Sequence, residues 1–183
     1  MKTYILLFAL LFSASVAVQA QRMACRNGIV TFTASTPLEK IEPSNSKVSS
    51  VVDTKTGKIE FAVLINAFIF DQNLMQEHFN ENYMESDKFP KATFKGQIDN
   101  LSAVQWTKPG KYPAEVSGNL TLHGVTKPVK TKGEITVTAD GAKMTSNFKI
   151  IIADYGIEIP SVVKDKISKD ASIKVNCEYK PMG

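Results

Sequence analysis

Most of this chain alternates between apolar and polar residues with the two-residue period of a β-strand that buries one face. The pattern is plain in Gly28 to Ser35, where Val30, Phe32 and Ala34 fall on one face. It recurs between turn signals such as Asp140-Gly141, which is typical of a hairpin. The alternation predicts eight strands, over residues 28–35, 47–52, 58–70, 92–101, 114–123, 129–137, 144–152 and 171–179.

The first twenty residues do not follow the strand pattern. Lys2 precedes an apolar run from Tyr4 to Val18, and Val18-Gln19-Ala20 has the small residues of a secretory cleavage site. The run is too short and wrongly flanked for a membrane span. We therefore expect a signal peptide over residues 1–20 and a single domain over residues 21–183, periplasmic or secreted and without a transmembrane segment.

The predicted fold class is all-β, and two features favour a closed antiparallel barrel of about eight strands over a two-sheet sandwich. Export would allow Cys25 and Cys177 to form a disulfide, which would place the first and last strands side by side. The alternative is two buried free thiols. Gly96, Gly118 and Gly133 lie on apolar strand faces, where they either relieve curvature or leave room for a cavity.

One segment has the period of a helix instead. On a helix from Leu74 to Met84 the apolar side chains share one half of the surface. His78 and Asn82 fall among them one turn apart, so both should face whatever the helix covers. Asn73 is the predicted N-cap, with Gln76 as its capping-box partner. We expect this helix to cover one mouth of the barrel, with lid and head-group residues Leu74, His78, Phe79, Asn82 and Tyr83.

Charge does not point to nucleic acid as a partner. The formal net charge is +4, from 22 Lys+Arg and 18 Asp+Glu. Most lysines are scattered between acids, and the aromatic residues lie in apolar strands rather than among basic ones. The local excess at Lys127, Lys130 and Lys132 is interpreted as a solvated strand face.

No catalytic, metal or cofactor set stands out. Glu77 and Glu81 project to the helix face opposite His78, which spoils a metal site built from this helix alone. His123 could join His78 only if the fold brought them together, and no nucleophile-elbow pattern is present. The sequence therefore predicts no catalytic residue, no metal and no cofactor. A His-dependent enzyme is the less favoured alternative.

With these elements placed, the sequence resembles the YceI-like family of exported bacterial lipid- or polyisoprenoid-binding barrels. The central stretch and the TLHGVTK motif are the specific part of the resemblance. The matching stretches are GIVTF from Gly28, TGKIEF from Thr56, LMQEHFNENYMESDKFPKATFKG from Leu74, GNLTLHGVTKPV from Gly118 and FKIIIADYGIEIP from Phe148.

The resemblance implies a lipocalin-like barrel that holds a long apolar chain in its lumen and performs no covalent chemistry. The Cys25 and Cys177 pair is a departure from what we expect across the family. A structural or partner-binding module with a packed core is the alternative. The predicted lumen wall consists of inward-facing strand residues, namely Phe32, Phe61, Val63, Phe94, Ile98, Val116, Leu120, Phe148, Ile150, Ile173 and Val175.

Overall fold

The structure, a computed structural model, describes residues 22–182 and shows a closed barrel of eight antiparallel strands in sequence order. The predicted signal peptide lies outside the described residues. Pairing of the first strand with the last closes the barrel. The strands are β1 (Arg22–Thr33), β2 (Ser44–Asp53), β3 (Lys58–Leu64), β4 (Lys91–Ile98), β5 (Gly110–Leu122), β6 (Val125–Thr138), β7 (Gly141–Ile151) and β8 (Asp170–Pro181).

The two ends of the barrel differ in how the chain covers them. One end, the closed end, has the short β2–β3 and β6–β7 turns and a buried core around Val52, Ile98 and Tyr179. The other end, the mouth, carries the connections 34–43, 65–90 and 152–169 and the His123-Gly124 turn. Three of the four long connections therefore gather at the mouth, and the fourth, residues 99–109 between β4 and β5, covers the closed end.

The predicted third strand is too long. It ends at Leu64 and gives way to a 3-10 turn over Ile65–Ala67, which is where the alternation of the sequence breaks down. Because of that turn, Phe68 is buried and belongs to the mouth connection rather than to the barrel wall.

The helix lies over the predicted residues, but its geometry differs from an ideal α-helix. It begins as α1 (Asn73–His78) and continues as a π-helical turn over Phe79–Tyr83. The N-cap is Gln72 without a side-chain cap, so the predicted capping box is wrong. Gln76 instead accepts the backbone N–H of Phe70 through Oε1 at 3.3 Å. We call residues 73–83 the lid helix.

The inward glycines of β4 and β5 allow a close approach of two strands rather than leaving space. Gly96 and Gly118 are directly paired, and a Cβ atom on either would collide with backbone and with the ring of Phe94. Phe94 therefore packs across the two glycines. Of the two interpretations of these residues, room for a cavity does not apply to this pair, because neighbouring atoms occupy the space beside both glycines.

The two cysteines lie together where β1 pairs with β8 to close the barrel, at the point where the β1–β8 register shifts after Ala24. A Cβ atom on Gly28 would clash with Sγ of Cys177 and lie 3.1 Å from Sγ of Cys25. Both residues are buried free thiols in the structure, so the disulfide stays a prediction. Burial, followed by the neighbouring Cys25, raises the pKa of the Cys177 thiol.

Candidate functional site

The barrel encloses an apolar cavity of about 490 Å³ between the closed-end core and the lid helix. This volume lies within the range of ligand pockets, roughly 300–1,000 Å³. Its lining comes from strands β1 and β3 to β8 and from all three long mouth connections. The lumen is therefore not filled by its own side chains.

Every residue of the predicted lumen wall lines this cavity. Alternation along a regular strand turns every second side chain to the same face, here the face toward the lumen. The wall residues found at the cavity are Phe32, Phe61, Val63, Phe94, Ile98, Val116, Leu120, Phe148, Ile150, Ile173 and Val175.

Sequence reasoning missed the part of the lining that comes from irregular segments. Ile157, Ile159 and Val163 line the cavity from the β7–β8 connection, and Ile41 lines it from the β1–β2 connection. None of these segments has strand or helix periodicity. Their only signal is the recurrence of isoleucine and valine in an otherwise polar loop.

Four phenylalanine rings close the mouth around the lid helix. The ring of Phe79 lies 5.6 Å from Phe32, 5.6 Å from Phe68 and 4.9 Å from Phe70, measured between centroids. Edge-to-face and tilted contacts at these distances are favourable beyond simple area burial. Phe79 therefore anchors the lid helix over the cavity.

The remaining predicted lid residues lie in different environments. Leu74, His78 and Tyr83 line the cavity, although Leu74 is 61% exposed and His78 is also exposed. Burial raises the pKa of Tyr83. Asn82 is exposed and does not line the cavity, so the prediction that His78 and Asn82 face it together is wrong for Asn82.

His123 ties three mouth segments together. Its Nε2 lies 2.8 Å from Oε2 of Glu85, and its Nδ1 lies 3.2 Å from the carbonyl oxygen of Tyr155. Both partners are acceptors, so both contacts are hydrogen bonds when each ring nitrogen carries a proton. The hydrogen bond from His123 is the main cause that lowers the pKa of Glu85.

Backbone strain concentrates at the same contact. Glu85 has φ +42° and His123 has φ +50°, and they are the two residues other than glycine with positive φ in the described part of the chain. Such backbone conformations persist where surrounding contacts hold them. The side chain of His123 therefore links the β5–β6 turn to the residues that follow the lid helix and to the residues that follow β7.

No hydrogen bond or ion pair in the described part of the chain joins the two histidines. His123 is paired with Glu85 and Tyr155 rather than with His78. Within residues 22–182 no group of three or more His, Cys, Asp or Glu side chains is placed to hold a metal ion. No helix in the same range is long and apolar enough to span a membrane.

Comparison with known proteins agrees with this geometry. The model of the YceI-like domain matches residues 14–179. A UPF0312 protein of Pseudomonas putida strain W619 is 29% identical over 142 residues, covering 74% of this chain and 65% of its own length. The chain thus spans just under two thirds of the curated relatives it matches.

Solved structures share the fold at low sequence identity. A polyisoprenoid binding domain from Saccharophagus degradans, implicated in plant cell wall breakdown, superposes with TM-score 0.76 at 15% identity, covering 90% of this chain and all of that one. BcnA of Burkholderia cenocepacia gives 0.70 at 14% identity, with 82% and 95% covered. A YCEI protein of Campylobacter jejuni gives 0.59 at 18% identity, with 76% and 84% covered.

Proposed function

This chain belongs to the YceI-like family, and from that premise we propose that it is an exported protein that holds a lipid or polyisoprenoid chain in its barrel without covalent chemistry. The observation that carries the proposal is the enclosed apolar cavity of about 490 Å³. The similarity to a polyisoprenoid binding domain supports the ligand class.

The physical driving force is burial of the ligand's hydrocarbon surface. Each Å² of apolar surface removed from water contributes about 25 cal/mol, and a preformed lumen reduces the cost of ordering the site. The strands supply that preformed wall, because each one is paired with both neighbours in the barrel. Binding of this kind needs no reacting group.

The packed-core alternative has less support, because a packed barrel would leave no volume of this size. Domain cores pack as densely as organic crystals and contain few voids larger than a water molecule. A lumen of about 490 Å³ far exceeds such a void.

A pair of tryptophan variants on β5 tests the proposal. Val116 is half-buried at the cavity, whereas Asn119 is exposed on the outer face of the same strand. Val116→Trp should fill the lumen and weaken the binding of geranylgeraniol. This binding is measured by the displacement of the fluorescent probe diphenylhexatriene. Asn119→Trp should bind it like the wild type. Equal binding by both variants would contradict a luminal site.

A further inference from the structure

Strands β6 and β7 are joined along only part of their length. Their backbone pairing covers residues 133–138 of β6 and 141–146 of β7, next to the closed end. The ladders of β6 with β5 and of β7 with β8 both continue to the mouth. In the described part of the chain, residues 125–132 and 147–151 therefore each have one strand edge without a ladder partner. We call the gap between these two edges the seam.

Side chains mark the point where the ladder ends. A Cβ atom on Gly133 would collide with the carbonyl oxygen of Thr145, so the two backbones are in close contact there. One residue further, Ser146 Oγ donates to the carbonyl oxygen of Lys132 at 2.9 Å and lies 2.9 Å from Thr131 Oγ1. In a continuing ladder, a backbone N–H of β7 would donate to the carbonyl oxygen of Lys132. Here the hydroxyl group of Ser146 donates to it instead.

The sequence of the β6 edge is that of a strand left open. Lys127, Pro128, Lys130 and Lys132 fall within the unpaired stretch. Lysine and proline are the residues with which natural proteins protect free strand edges from pairing with other chains. The seam therefore gives a structural reason for the basic excess in this segment.

The cavity reaches the seam. Val129 and Thr131 from β6 and Phe148 from β7 line the cavity, and all three are half-buried. At the mouth end of the seam, the contact of His123 Nδ1 with the Tyr155 carbonyl joins the two sides. Between that contact and the last ladder pair no backbone ladder joins the two strands, and the 3-10 turn Ile152–Tyr155 packs against β6 at the mouth end.

Opening the seam disturbs less structure than opening the mouth. Lifting the lid helix would separate Phe79 from three other phenylalanine rings and Glu85 from His123. Parting the seam breaks no ladder hydrogen bond, because none joins the two edges there. It separates the Ser146 hydroxyl from Lys132 and Thr131, and His123 from the Tyr155 carbonyl. It also displaces the side chains of Val129 and Phe148, which line the cavity at the seam.

We propose that an apolar chain enters and leaves the lumen sideways, through the seam between β6 and β7, while the lid helix stays closed. The inference rests on the proposed lipid-binding function and adds the route. It restricts the ligand to molecules with a slender hydrocarbon part that threads between two strands. Bulky fused-ring lipids of similar volume should load far more slowly.

A covalent staple across the seam tests the route. Lys130 and Lys149 are exposed and would face each other if the register of the ladder continued. The variant Lys130→Cys/Lys149→Cys is bridged with a short bismaleimide. The control is Asn147→Cys/Lys174→Cys, which bridges exposed, directly paired positions of the complete β7–β8 ladder. Mass spectrometry verifies each bridge and confirms that the buried Cys25 and Cys177 are unmodified.

Stopped-flow uptake of diphenylhexatriene provides the readout. Stapling the seam should slow both uptake and release by about tenfold or more, the change that 1.4 kcal/mol in a barrier produces. Equilibrium affinity should stay unchanged, and the control staple should alter neither rate. Unchanged rates with a verified seam staple would overturn the route while leaving luminal binding intact. Failure of the wild type to take up the probe would overturn the proposed function and the route together.

Discussion

Glu85 and His123 are strained, hydrogen-bonded to each other and placed where the lid helix ends. Neither belongs to the lumen wall, so their contribution is to hold the mouth in one arrangement. Lys88 lies 3.6 Å from Glu85 Oε1 and adds a second, exposed ion pair to the same carboxylate. His123 is the histidine of the TLHGVTK stretch, and these contacts give a structural reason for a histidine at that position.

The lowered pKa of Glu85 predicts how this contact depends on pH. A carboxylate whose pKa is depressed in the folded state stabilises the fold above its unfolded value, about 4.5, and loses that contribution as the pH falls through the folded value. Glu85→Gln should therefore be less stable than the wild type at pH 7, and the difference should shrink toward pH 3. Denaturant unfolding of both proteins at pH 7 and at pH 3 measures this difference in stability. A difference that stays constant with pH would contradict the role of the ionised carboxylate.

Gly28 gives a second prediction at the residue scale. A methyl group there meets Sγ of Cys177 in a fully buried setting, so Gly28→Ala should cost about 1–3 kcal/mol of stability through overpacking. Gly110→Ala is the matched control, because its Cβ would meet only the mobile end of Tyr112 at 3.3 Å. Equal unfolding midpoints for the two variants would show that the cysteine pair leaves room over Gly28.

At the scale of elements, the position of the lid helix depends mainly on the side chain of Phe79. Phe79→Ala should destabilise the protein by about 2 kcal/mol, below the usual cost for a fully buried ring because Phe79 is half-buried. It should also increase hydrogen exchange across residues 73–83. Leu74→Ala on the same helix removes a side chain that is 61% exposed and should change stability by less than about 0.5 kcal/mol. Similar losses for the two variants would argue against an anchor at Phe79.

Periodicity predicted the elements far better than their junctions. Every residue that the strand alternation predicted for the lumen wall lines the cavity, because a period of two fixes the face of every residue once one is known. Periodicity placed the helix but did not predict the π-turn within it, because a π-turn leaves no signature in the apolar pattern. The Ile157 and Val163 contacts come from a segment with no period to detect.

The seam shows the same limit from another direction. An inward-facing residue has the same alternation whether or not its strand is paired on both sides, so the pattern at Phe148 predicted ordinary lumen wall and gave no sign of the unpaired edge. The clue in the sequence was the cluster of lysines with Pro128, which has a meaning only once the neighbouring strand is known.

At the scale of the whole molecule, Cys25 and Cys177 lie where the first and last strands pair to close the barrel. A disulfide between them would close a loop of most of the chain and add about 5 kcal/mol in the chain-entropy model. The raised pKa of Cys177 keeps the thiol protonated, so air oxidation should be slow and a disulfide catalyst should speed it. Oxidised protein should unfold at higher denaturant than reduced protein, and Cys177→Ser should remove that difference. Identical unfolding of both redox forms with two titratable thiols would exclude the bridge.

The lumen, its lid and the seam serve one purpose only if the cavity takes a ligand. The most direct measurement is native mass spectrometry of the full chain purified from a bacterial periplasm, followed by solvent extraction. Lipid or polyisoprenoid binding predicts a mass above that of the polypeptide, lost on extraction, with an apolar chain recovered in the organic phase. A mass equal to the polypeptide alone, together with no uptake of geranylgeraniol by the purified protein, would contradict it.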